Sequence, residues 1–173
     1  ELVGISVLRE FGVLLSAILV AGRSGSAFTA QIGAMKIREE IDALRVLGLD
    51  PMEVLVLPRV FALIMMMPVR GFIAAMLGMI GGGLVAWMAM DISPAFFVSR
   101  TAEVITMSNF WVGMIKAPFF AFVIAIVGCY QGMEVEGSAE SLGQRTTLSV
   151  VQSLFLVIIL DAFFAMFFLE IDY

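Results

Sequence analysis

Residues 71–90 read GFIAAMLGMIGGGLVAWMAM, a run of twenty residues without a charged side chain. A helix of that length crosses about 30 Å of hydrocarbon, so this stretch alone predicts a transmembrane span. The rest of the chain has the same character, since 61% of its 173 residues are hydrophobic and only 14% are charged. A water-soluble domain of this size has too small a core to bury so many apolar side chains. We therefore expect an integral membrane protein.

Three further apolar runs are long enough to cross a membrane. Together with the quoted stretch, they place four spans at about residues 10–35, 54–90, 110–133 and 148–170. None of these runs alternates in the two-residue period of a barrel strand. The sequence thus predicts an all-α membrane protein, a polytopic transmembrane helix bundle forming a single domain over residues 1–173.

The charge balance and the missing residue types exclude several classes of function. A net charge of −5 disfavours a nucleic-acid partner, which requires a basic surface. The chain has no histidine and one cysteine, Cys129, so His/Cys metal sites and His-dependent nucleophilic catalysis lack their residues. No G-x-x-x-x-G-K-[ST] phosphate-binding loop occurs either. We expect no enzyme activity, metal or cofactor in this chain, so any ATP and Mg²⁺ must be bound by a partner.

Positive charges predict which loops face the cytoplasm. Four crossings place loops 36–53 and 134–147 on one side and loop 91–109 on the other. The first side carries five Lys or Arg residues, counting Arg59 at its edge, and the other side carries two. The positive-inside rule makes the first side cytoplasmic. The first span then begins outside, which suggests that at least one span precedes residue 1.

The loop segment 36–49 has the pattern of a short amphipathic helix. Ile37, Ile41, Leu44 and Leu47 recur at i, i+4 and i+7 spacing, with charged residues between them. One interpretation is an interfacial helix that rests among lipid headgroups. The other is a docking helix for a soluble partner, because its charge is mixed rather than rich in Lys and Arg.

Small residues recur every four positions in the first span. One ladder is Gly22, Ser26, Ala30 and Ala34, and its neighbour is Ala21, Gly25, Thr29 and Gly33. Gly78 and Gly82 repeat the pattern in the second span. Small side chains allow two helix backbones to approach closely within lipid. The ladders predict helix packing, either within one subunit or between the subunits of a dimer.

Charged residues inside a span need a reason, because each costs on the order of 3 kcal/mol to insert. Arg23 lies near the middle of the first span, and Arg70 lies within the second. Lys116 and Asp161 lie at depths that differ by only about 4 Å, within the reach of a lysine side chain. Lys116 and Asp161 could therefore form a structural ion pair, or line a polar cavity for a charged or amphipathic substrate.

The run over residues 8–51, LREFGVLLSAILVAGRSGSAFTAQIGAMKIREEIDALRVLGLDP, resembles the permease subunit of the MlaE family of lipid transporters. The matching parts are an R-E-F-G segment, an A-G-R-x-G-S-A segment followed by G-x-M, and the E-E-I-D-A-L segment ending G-L-D-P. Val13 replaces the family's proline, and Gln31 replaces its usual membrane glutamate. The likeness covers essentially the whole chain, but the family's N-terminal interfacial helix and first span are absent.

The resemblance implies the transmembrane permease subunit of an ATP-driven (ABC) phospholipid transporter in the bacterial inner membrane. Such subunits have five spans, form homodimers and enclose a lipid cavity between the protomers. The implied partners are an ABC ATPase, a periplasmic MCE-domain protein, a small STAS-domain protein and the phospholipid itself. The implied role is to move lipids between inner and outer membranes and so maintain outer-membrane lipid asymmetry.

The resemblance also assigns roles to residues. Segment 36–49 would be the coupling helix that docks on the ATPase, through Glu39, Glu40, Asp42, Leu44 and Leu47. The candidates for cavity or gating roles are Arg23, Gln31, Lys116 and Asp161. Two other classes of function remain open, namely an ion-coupled secondary transporter that uses Lys116 and Asp161, and a membrane scaffold that transports nothing.

Overall fold

The computed structural model describes residues 6–104 and 107–171. The remaining residues of the predicted domain, and the side chain of the motif residue Arg9, lie outside that description. In the described ranges every regular element is a helix, which confirms the predicted all-α class. Four helices are long and apolar enough to cross a membrane. The chain is thus a multi-pass helical membrane protein.

The first half of the bundle contains helices α1, α2 and α3. Helix α1 consists of four contiguous segments, Val7–Phe11, Gly12–Val20, Ala21–Gly25 and Ser26–Ile37, of which the first and third are π-helical turns. Helix α2 covers Glu40–Val46. Helix α3 begins with a π-helical turn, Met52–Val56, and continues over Leu57–Met90.

The second half contains helices α4, α5 and α6. Helix α4 covers Pro94–Val104 and lies within the predicted loop 91–109. Helix α5 covers Met107–Met133, and helix α6 covers Ala139–Glu170. The two long helices, with α1 and α3, supply the four candidate spans.

The helix predicted over residues 36–49 is shorter in the structure. Lys36 and Ile37 still belong to α1, and only Glu40–Val46 forms α2. The interruption occurs at Glu39, whose φ of 60° lies in the left-handed region that a right-handed helix cannot continue through. Gly48, with φ of +77°, adopts the same kind of conformation just beyond the end of α2.

The last span also differs from its predicted bounds, because α6 begins nine residues before residue 148. The Oγ of Ser138 accepts a hydrogen bond from the backbone N–H of Ser141 at 3.1 Å, which caps the start of the helix. The added turns are polar, so they continue the helix without any apolar run that would have marked them in the sequence.

Helix α5 lies at the centre of the bundle, in contact with α1, α3 and α6. The side chains of Val112, Phe120 and Ile124 on α5 have no exposed surface. Helix α6, in contrast, presents apolar side chains such as Phe163 to the outside, as does α3 at Met65. Apolar outer faces around a packed central helix are what a bundle surrounded by lipid requires.

Candidate functional site

A buried ion cluster joins three helices within the bundle. The side chain of Lys116 on α5 is 1% exposed, and its Nζ lies 3.1 Å from Oδ1 of Asp161 on α6 and 2.5 Å from Oε2 of Glu10 on α1. The pairing predicted for Lys116 and Asp161 is therefore confirmed. Glu10 was missed, because it stands at the start of the first predicted span and was taken as a boundary residue.

The cluster is a clamp between α1, α5 and α6, because a single ammonium group donates to carboxylates from both neighbours. Hydrogen bonds to charged groups are shorter and stronger than those between neutral groups. Removal of one member of a buried pair is costly, since it leaves the other charge without compensation. Lys116, Glu10 and Asp161 therefore hold the three helices in one arrangement.

One of the two small-residue ladders packs inside the chain. Gly25, Thr29 and Gly33 are buried, and the Thr29 hydroxyl donates to the backbone carbonyl of Gly128 on α5 at 2.8 Å. A Cβ added at Gly128 would lie 2.8 Å from the carbonyl oxygen of Gly25, so the two backbones are in close contact. The interpretation as packing within one subunit is correct for this ladder.

The other ladder lies on the outside of α1. Gly22 is exposed, and a Cβ added there would meet nothing within 4 Å. Ser26, in the same ladder, donates its hydroxyl back to the carbonyl of Gly22 at 2.6 Å. Gly78, on α3, packs inward, since an added Cβ would lie 2.9 Å from a side-chain carbon of Val7. Gly82 is partly buried.

The remaining cavity candidates, Arg23 and Gln31, are both exposed in this chain and are not part of the ion cluster. Arg23 lies in the π-helical turn Ala21–Gly25, beside Gly22. Gln31 accepts a hydrogen bond through Oε1 from Nη2 of Arg59 at 3.2 Å. The guanidinium of Arg59 also lies over the ring of Phe28, at 5.8 Å from its centroid. The resemblance to the MlaE family had marked Gln31 as a site candidate, but it had not marked Arg59 as its partner.

Helix α2 presents one apolar residue inward and an apolar tip outward. Ile41 is buried and Leu44 is partly buried, so the predicted stripe is real over this turn. Leu47, the predicted next member of the stripe, is instead 74% exposed, and its neighbour Val46 is 87% exposed. Leu47 is the C-cap of α2 and its backbone N–H still donates to the carbonyl of Ala43, so it keeps the helical period but lies beyond the part of the stripe that packs inward.

Acidic residues surround this apolar tip. Glu39 and Asp42 are exposed and Glu40 is partly exposed. Two pairs hold the charges in place, Arg45 with Asp42 at 3.2 Å and Arg38 with Glu40 at 3.6 Å. An exposed apolar tip with acidic flanks suits contact with a protein groove better than rest among anionic headgroups.

A polar network ties the base of α2 to the two helices behind it. The Nζ of Lys36, at the end of α1, donates to the backbone carbonyl of Met133 at the end of α5. On α5 and α6, Gln131 accepts from Arg145 at 3.2 Å and donates to Gln152 at 2.7 Å. The loop end of the bundle is thus linked by side chains as well as by packing. No spacing rule in the sequence indicated this network.

Four span-length helices with an ion cluster inside them and an amphipathic helix in one loop, all within the described residues, define a polytopic helical membrane protein. Comparison with known proteins agrees with this class. The family described as Permease MlaE matches residues 1–167, so the chain belongs to the MlaE permease family.

Individual relatives are also named as permease proteins. A probable ABC transporter permease protein of Synechocystis is 36% identical over 159 residues, which cover 92% of this chain and 60% of the relative. A second probable ABC transporter permease protein, from Rickettsia prowazekii, is 37% identical over 155 residues, or 90% of this chain and 60% of that protein. The intermembrane phospholipid transport system permease protein MlaE of Haemophilus influenzae is 36% identical over 163 residues, or 93% and 62%. The chain spans about three fifths of the length of these relatives.

Proposed function

We propose that this chain forms the membrane-spanning core of the permease subunit of an ATP-driven phospholipid transporter. The observation that carries the proposal is α2, a short helix between two spans whose exposed tip, Val46 and Leu47, is built for contact with a soluble partner. Membership of the MlaE family and the naming of the Haemophilus influenzae relative support phospholipid as the transported substrate.

The partner at α2 is an ABC ATPase, which binds ATP and Mg²⁺ on behalf of the complex. Its contacts are the acidic residues and the apolar tip of the loop helix: Glu39, Glu40, Asp42, Leu44 and Leu47. Movement of α2 is transmitted through Lys36, which holds the end of α5 at Met133. Because α5 also carries Lys116, motion at the loop end reaches the ion cluster along α5, past Pro118 within that helix.

The remaining assembly follows from the same proposal. Two copies pair through the outer ladder at Gly22, which allows close approach of two helices, and Arg23 then faces the space between the copies. A periplasmic MCE-domain protein and a small STAS-domain protein complete the system in the bacterial inner membrane. Transport between inner and outer membranes maintains outer-membrane lipid asymmetry.

An ion-coupled transporter is the second candidate, and the buried cluster of Lys116, Glu10 and Asp161 is the observation that favours it. Ionisable groups inside a span mark ion or proton pathways in many transporters. In the leading proposal the same cluster acts as a structural clamp or a gate.

Co-purification tests the leading proposal. The complete protein is expected to co-purify with an ATPase of the same organism, and phospholipid is expected to stimulate ATP hydrolysis by the complex. Absence of an associated ATPase, or hydrolysis that is indifferent to phospholipid, would contradict the proposal.

A further inference from the structure

Arg59 is a cation whose contacts with the described residues are all neutral. Its Nη2 donates to Gln31 Oε1 at 3.2 Å, its Nη1 donates to the carbonyl of Leu55 at 3.2 Å, and its guanidinium lies over the Phe28 ring. Among the residues that the structure describes, no carboxylate forms an ion pair with Arg59. The side chain is oriented on three sides but its charge is not neutralised.

Comparison with Lys116 shows that Arg59 lacks a carboxylate partner among the described residues. Lys116 is the buried cation of the bundle and has two carboxylates, whereas the side chain that faces Arg59 is the amide of Gln31. An uncompensated charge near hydrocarbon is costly, so Arg59 favours an anion from outside the chain. Its guanidinium has five N–H donors, of which the described contacts use two, and its planar fork matches phosphate.

The position of Arg59 suits the headgroup of a lipid. Gln31 lies six residues before the end of α1 at Ile37, or about 9 Å along the helix, and Arg59 lies seven residues after the start of α3 at Met52, or about 10 Å. Both are therefore near the loop-side boundary of the spans, where lipid phosphates lie.

Apolar surface for acyl chains adjoins the guanidinium. On α3, Ala62 and Met66 follow Arg59 by three and seven residues and so share its face of the helix; both are exposed, Met66 by 48%. A ligand with a phosphate on Arg59 and hydrocarbon against this surface satisfies both features. A free phosphate satisfies only the first, and a diacylglycerol only the second.

We propose that Arg59 binds the phosphodiester of a phospholipid at the loop end of α1 and α3, and that the neutral side chain of Gln31 keeps this guanidinium available for it. The proposal deepens the proposed function, on which it rests for the choice of phospholipid, by naming a residue that selects the substrate through its phosphate. Gln31 is a positioning residue, since it orients Arg59 without neutralising it.

The test is photolabelling of the complete protein in maltoside micelles, which contain no phosphate. The probes are a photoreactive phosphatidylglycerol and a photoreactive diacylglycerol with the same acyl chains. We expect the phosphatidylglycerol to label peptides from α1 and α3 and the diacylglycerol to label them about tenfold less. Equal labelling by the two probes would overturn the proposal.

Gln31→Glu is the decisive variant, because a carboxylate at this position pairs with Arg59 and competes with the phosphate. We expect it to reduce phosphatidylglycerol labelling about tenfold while leaving the thermal unfolding midpoint unchanged or raised. Gln144→Glu, the same change at an exposed position of α6 remote from Arg59, is the matched control and is expected to label like the wild type. Wild-type labelling of Gln31→Glu would contradict the proposal even if Arg59→Gln proves too unstable to purify.

Two further measurements distinguish a lipid phosphate from free phosphate, and the Arg59 site from the proposed transporter function. Inorganic phosphate in large excess is expected to leave the labelling unchanged, and complete displacement by it would assign the site to free phosphate instead. Labelling requires no ATP. If the protein binds no ATPase but its labelling still depends on Arg59, only the proposed function is refuted. If wild type and Gln31→Glu are labelled equally and also transport lipid equally with ATP, only the Arg59 site is refuted.

Discussion

Lys116 is the residue at which charge from three helices converges. Its pairing with Asp161 could be predicted from the similar depths of the two residues in their spans, because only a partner makes such charges tolerable in a membrane. The participation of Glu10 could not be predicted, because a carboxylate at the edge of an apolar run is normally interpreted as the limit of the span. The geometry of a three-member cluster depends on how α1 lies against α5, which no pattern in one sequence reports.

Replacement of Lys116 by alanine is expected to destabilise the bundle by about 3–5 kcal/mol, because two carboxylates then remain near each other without a cation. Asp161→Asn is expected to cost less, since Lys116 keeps its contact with Glu10. Thermal unfolding of the purified protein measures both effects. Arg100→Ala removes an exposed pair with Glu103 and serves as the control, with an expected loss of no more than about 1 kcal/mol. Equal stability of Lys116→Ala and the control would show that the cluster is no clamp.

Gly128 is a residue at which the backbones of α1 and α5 are in close contact. An alanine there would place its Cβ 2.8 Å from the Gly25 carbonyl oxygen, and because that atom is backbone the helices must separate. We expect Gly128→Ala to lower stability by about 1–3 kcal/mol in thermal unfolding. Gly81→Ala on α3, where a Cβ meets nothing within 4 Å, is the matched control and should be neutral or slightly stabilising. A harmless Gly128→Ala would contradict the close contact.

At the scale of elements, the apolar runs predicted the existence of all four long helices, since length and hydropathy suffice for a span. The ends of elements were less predictable. The left-handed conformation of Glu39 shortens α2, and the Ser138 cap lengthens α6 into polar residues. Which of two equally spaced ladders packs inward was also beyond the sequence, because both offer the same small side chains.

Helix α2 is expected to bind the ATPase through its exposed apolar tip and its acidic residues. Leu47→Asp and Asp42→Lys are expected to reduce association with the ATPase at least about tenfold, because the first places a charge on the exposed apolar tip and the second reverses the acidic flank. Quantitative co-purification of the complete protein with the ATPase measures the effect. Glu136→Lys, a charge reversal at an exposed position of the other loop on the same predicted side, is the matched control. Unchanged association of both α2 variants would remove α2 from the interface.

At the scale of the whole molecule, the chain is a bundle in which a loop helix, a central helix and a buried ion cluster are linked in series. Lys36, at the end of α1, contacts the end of α5 at Met133, and α5 carries Lys116 in its other half. In the proposed function, this linkage carries movement of α2 from the ATPase toward the ion cluster.

Lipid transfer by the reconstituted complex tests this account most directly. The complete protein and its ATPase are placed in liposomes that contain a fluorescent phospholipid, and transfer of that lipid to an acceptor is followed with and without ATP. The account predicts transfer that requires ATP, is lost in Leu47→Asp and persists when a proton ionophore is added. Transfer that is indifferent to ATP, or that the ionophore abolishes while ATP is held constant, would contradict it.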